Sequence, residues 1–183
     1  MRRARPAAAV ACAAFIIGAA AGCSVSEEPG PSEDGKSAAG KPAGPAAADG
    51  TGKPVAQGTF DSPHVEGATV DIAVMGLKAQ GRLATLTVRL TPHMPPGERN
   101  ASLIRLHGAH VATFLIDPVN LKRYVPVKDS SGRVMQPSDL GTRLTHGHAT
   151  ALVYTFAAPP ENVPAVNVQV GVWPTFRNIP VER

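Results

Sequence analysis

The 183-residue chain carries 18 Lys+Arg against 14 Asp+Glu, a formal net charge of +4, with 43% hydrophobic residues, 4% aromatics and two cysteines. Three of the cations, Arg2, Arg3 and Arg5, precede residue 23 where no acid occurs, so the remainder holds 15 bases against 14 acids. That near-balance, without a concentrated basic stripe, excludes a nucleic-acid surface, and two cysteines exclude a disulfide framework.

The first element is a leader. Behind the three arginines runs an apolar stretch over residues 7–21, with Ala20-Ala21-Gly22-Cys23 at its end. A basic start, a short apolar core and small terminal residues describe a secretory signal peptide. As a helix the stretch is about 22 Å long, short of the roughly 30 Å hydrocarbon core, which argues against a permanent transmembrane span. A cysteine directly after Ala-Gly is where bacterial lipoproteins are diacylated and cleaved, so residues 1–22 are expected to leave and Cys23 to carry lipid. Ala20 stands where a lipobox usually has Leu, and cleavage after Ala21 to release a soluble protein is the rival. The lipid reading places the chain on the outer face of the cell membrane.

Residues 23–59 form a tether. They are Gly, Pro, Ala, Ser and scattered charges, with Val25 and Val55 the only branched apolar side chains. Such a composition cannot bury enough apolar surface to offset its ordering entropy. As a flexible chain of about 36 residues it would hold the C-terminal domain roughly 30 to 35 Å from the membrane.

From Phe60 the pattern turns to period two. Val70, Ile72 and Val74 share one face; Leu86, Val88 and Leu90 share another, opposed by Thr85, Thr87 and Arg89. Residues 110–116 and 122–127 are short and rich in branched or aromatic side chains. Thr150, Leu152, Tyr154 and Phe156 form a further stripe, and Val166, Val168, Val170 and Val172 alternate with Asn167, Gln169 and Gly171. Turn chemistry falls between these runs at Pro95-Pro96-Gly97, Asp117-Pro118, Asp129-Ser130-Ser131-Gly132 and Pro159-Pro160. No apolar 3.6-residue period of useful length intervenes. About seven short strands over residues 60–183 predict an all-β domain, an immunoglobulin-like antiparallel β-sandwich, with a small open barrel as the alternative.

Six histidines are the one concentrated chemical feature. His146-Gly147-His148 puts two imidazoles on one face of an extended segment, and His93-Met94 adds a soft donor pair, a set suited to copper or zinc. His107 and His110 flank Gly108-Ala109. Against the metal reading, no acid or cysteine is near in sequence to complete a shell. No Gly-x-Ser-x-Gly elbow or spare cysteine offers a nucleophile, so no catalytic residue is assigned and no enzyme or cofactor is expected. Asp117, Asp129 and Asp139 lack calcium-loop spacing and read as exposed turn residues. Lys122 and Arg123 read as a solvated strand edge, and Trp173 as a plug at the end of the core.

Three phrases carry a resemblance: Leu115-Ile116-Asp117-Pro118-Val119-Asn120-Leu121-Lys122-Arg123-Tyr124, Phe156-Ala157-Ala158-Pro159-Pro160-Glu161-Asn162-Val163 and Trp173-Pro174-Thr175-Phe176. They resemble the extracytoplasmic domain of actinobacterial cell-envelope lipoproteins, which is similar to telokin-like, immunoglobulin-like domains and precedes an OmpA-like peptidoglycan-binding module in some exported proteins. The resemblance spans residues 60–183 and implies a β-sandwich at the cell surface, with no catalytic residues to carry over. The peptidoglycan-binding module is expected to be missing, leaving anchorage to the lipid at Cys23. The expected function is a non-enzymatic binding module meeting an envelope protein or wall component, with metal handling through His93, Met94, His146 and His148 as the alternative.

Overall fold

A computed structural model describes residues 52–108 and 112–183. The leader, Cys23, most of the tether and His110 lie outside the described residues. No described helix is long and apolar enough to cross a membrane.

The fold is built on strands β1 (Ala56–Asp61), β2 (Thr69–Gln80), β3 (Leu83–His93), β4 (Asn100–Ser102), β5 (Phe114–Asp117), β6 (Lys122–Tyr124), β7 (Arg143–Thr145), β8 (Thr150–Ala157), β9 (Ala165–Gln169) and β10 (Phe176–Glu182). One helix, α1 (Leu103–His107), succeeds β4. Eight strands form one sheet, seven in the hydrogen-bonded path β6-β5-β9-β10-β2-β3-β8 and β1 added on β2, while β4 and β7 pair separately. The all-β class is as the alternation predicts.

The long β2–β3 hairpin is the spine. Val70, Ile72 and Val74 face inward as read from sequence, but strict alternation would then send Leu77 outward. A bulge between Val74 and Gly76 inserts one residue and returns Leu77 to the core. The same bulge marks a change of partner. Before it, β2 pairs antiparallel with β1; beyond it, Leu77 and Lys78 pair parallel with Val181 and Glu182 of β10.

The sheet is curled. Three residues beyond β6, the Val127 amide donates to the Thr155 carbonyl of β8, and the Thr155 amide donates to Met135. Three residues reach about 11 Å at most, so the two end strands of the path approach one another. Ladder and curl enclose one apolar cluster in which Ile72, Leu77, Leu86, Leu90, Leu115 and Phe156 are fully buried.

Several details depart from the sequence expectation. β1 begins at Ala56, inside the stretch assigned to the tether, because the N-terminal half of β2 offers it an edge. The Val166–Val172 alternation stops early: Gly171 takes φ 54°, the chain turns, and Val172 is left 46% exposed. Helix α1 is too short to show a period. The amides of Leu103 and Ile104 at its start are satisfied by the Thr142 and Asp139 carbonyls instead of by a side-chain cap.

Candidate functional site

The metal candidates come together at one end of the β2–β3 hairpin, although 53 residues separate His93 from His146. The imidazoles of His93 and His146 meet edge to face with centroids 6.3 Å apart. Met94, His146 and His148 line one cleft with Pro95, Glu98 and Arg99.

Their hydrogen bonds fix what this corner can do. His93 Nε2 lies 2.7 Å from Asp71 Oδ2, and Thr59 Oγ donates to Asp71 Oδ1 at 2.6 Å. The Thr59 bond, then that from His93, holds the Asp71 carboxyl below the usual carboxylate value. The Met94 amide donates to His146 Nδ1 at 2.8 Å. A neutral imidazole carries one proton, so a ring accepting at Nδ1 holds it on Nε2 and has no lone pair left for a metal. Met94 itself is 6% exposed, with its side chain in the core. Among the described residues no three His, Cys, Asp or Glu side chains are grouped to hold an ion. The corner is a structural pin joining the end of β3 to the 145–148 turn.

Unlike these exposed histidines, His107 is buried. His107 ends α1 at 4% exposure, packs edge-on to Trp173 with centroids 5.9 Å apart, and places Nε2 3.7 Å from Asp139. Burial pushes the imidazole below its ordinary value, opposed by the Asp139 charge and nearby backbone carbonyls. Trp173 is core, as read from sequence, and its indole N–H donates to the Asp61 carbonyl.

The most distinctive surface is the 118–121 loop between β5 and β6. Sequence reading puts Asp117 at the surface, yet it is 0% exposed. The alternation of β5 turns it inward with Leu115, where its carboxylate gathers the succeeding loop. Oδ1 accepts the amides of Val119 and Asn120 at 2.9 and 3.0 Å, and Oδ2 accepts Asn120 Nδ2 at 2.9 Å. Burial raises its pKa, but these bonds outweigh burial and the net direction is down. Burial and the Asp117 charge together push the Tyr124 hydroxyl up.

On this brace sit two aliphatic side chains facing water, Val119 at 54% and Leu121 at 89% exposure. Leu121 takes φ 53°, a left-handed conformation that costs a non-glycine residue about 1 kcal/mol. Such strain persists only where the surroundings over-determine it, and it collects at functional positions. Lys122 and Arg123 come next, both exposed, with the Arg123 guanidinium 5.2 Å from the Phe114 ring centroid. Sequence reading missed Val119 and Leu121. The available signal was two aliphatic residues inside an Asp-Pro turn, where polar ones belong.

Compared with protein-family models, curated proteins and solved structures, the chain matches none.

Proposed function

We propose that this protein is a lipid-anchored, non-enzymatic binding module at the outer face of the cell membrane, of the kind seen in actinobacterial envelope lipoproteins. In this reading β1-β2-β3-β8 and β10-β9-β5-β6 act as the two layers of an immunoglobulin-like sandwich, and the 118–121 loop meets an envelope protein or wall component. One observation carries it: two exposed aliphatic side chains, one in a left-handed backbone conformation, sit on a turn whose amides bond to a fully buried carboxylate. Exposed aliphatic side chains presented on a braced loop are the kind of surface that a partner covers. The anchor rests on the Ala20-Ala21-Gly22-Cys23 sequence after a basic, apolar leader. A metal-handling role is not favoured, since His146 spends its Nδ1 lone pair on the Met94 amide.

Mass spectrometry of the mature N-terminus tests the anchor. The expected result is a diacylglyceryl-modified peptide beginning at Cys23, lost in the Cys23→Ala variant. An unmodified N-terminus in the native chain sinks the anchored reading.

A further inference from the structure

Shape and charge at the 118–121 loop identify the surface it meets. Between residues 114 and 128 the charged side chains are Asp117, Lys122, Arg123 and Lys128. Asp117 is buried and spends its oxygens within the loop, so the charge this stretch presents to solvent is wholly positive. Val119 and Leu121 are exposed in the loop that leads into these cations, and Leu121 shares one shallow surface with Lys122, Arg123 and the partly exposed outer side chains of β5, Phe114 and Ile116.

We infer that this tip docks on an anionic lipid bilayer, with Val119 and Leu121 entering the headgroup–acyl boundary and Lys122 and Arg123 meeting lipid phosphates. The inference rests on the anchored binding-module reading and gives that module's loop its partner. An apolar tip over a basic collar matches the layering of an anionic membrane, in which phosphates lie outside the acyl chains. Lipid chains part around a protruding side chain, whereas a protein must supply a preformed pocket for it. A second copy fits poorly, because two-fold pairing of β6 edges would set Lys122 and Arg123 against the same residues of the other chain. Two aliphatic side chains give weak affinity alone. A lipid at Cys23 makes the contact intramolecular at the membrane, where weak affinity suffices.

The test uses the full-length Leu121→Trp chain with vesicles of equal parts phosphatidylglycerol and phosphatidylcholine, some carrying brominated acyl chains. Native Trp173, 3% exposed and hydrogen-bonded to Asp61, is the internal reference. The indole introduced at position 121 should shift to the blue and be quenched by bilayer bromine, with Trp173 unaffected. Adding Lys122→Glu and Arg123→Glu should raise the anionic lipid needed by at least about tenfold. Vesicles of phosphatidylcholine alone should give a much weaker response. Unchanged emission on the mixed vesicles overturns the inference. A photoreactive group at position 119 then separates the two ideas. An envelope-protein adduct keeps the binding module and removes lipid as its partner, and no adduct of any kind removes both.

Discussion

Asp117 shows how one buried residue shapes a surface. It accepts two backbone amides and one side-chain amide, and without it the Val119–Asn120 turn has no partner for those donors. Asp117→Ala is therefore expected to cost about 3 kcal/mol in denaturant unfolding, and Asp117→Asn about 1 kcal/mol because its carbonyl still accepts the amides. The folded value is depressed, so the stabilisation is complete above the ordinary carboxylate value of 3.8 and fades as pH falls through the folded value. The gap between native and Asp117→Ala stabilities should narrow in that acid range, towards what a neutral acceptor retains; a constant difference down through it contradicts the assignment. His107 works with the opposite chemistry and the same direction of pH dependence. Its folded value lies below 6.5, so the unfolded chain takes up the proton first and stability falls as pH drops below 6.5. The slope cannot exceed about 1.4 kcal/mol per pH unit. His107→Gln should flatten it between pH 7.5 and 5, with Asp139 and His64 the neighbouring charges to control. An unaltered slope in the variant places the titration elsewhere.

Among the elements, β1 is secured along one edge only. It pairs with one edge of β2 and is held from the side by Phe60, whose ring meets Phe176 edge-on with centroids 5.8 Å apart. The Phe60 ring also lies over Gly58, where a Cβ would stand 2.7 Å from it. Phe60→Ala is expected to weaken β1 by about 2 kcal/mol, half the cost of losing a fully buried ring. Faster amide exchange confined to residues 56–61 would show it; equally faster exchange in β2 and β3 would mean that β1 is integral to the core. This strand also marks where sequence reading ran short. Residues 56–61 hold one large apolar side chain, so no alternation was visible, and the strand exists because β2 offers an edge. The stripes of β2, β3 and β8 were legible because each buries three or more apolar residues at period two. The bulge at Met75, the burial of Asp117 and the αL turn at Leu121 were not, since each depends on partners distant in the chain or on backbone geometry. His93, Met94, His146 and His148 were legible as a group, but that the Met94 amide occupies His146 Nδ1 depends on backbone geometry no spacing reveals.

At the scale of the molecule, the curled sheet separates two kinds of polar construction. The histidine corner closes in on itself: Asp71, His93, His146 and the Met94 amide use one another and pin the end of the hairpin. The β5–β6 end does the reverse, burying its acid and turning its aliphatic and cationic side chains outward. The proposed function stands or falls on that outward face. In-cell photo-cross-linking of the full chain tests it most directly, with the reactive group at position 121 compared with one at Val153 on β8, which is 36% exposed. The account predicts adducts at 121, to membrane lipid or to another envelope component, and none at 153. Matching patterns at the two positions, or none at either, would contradict it.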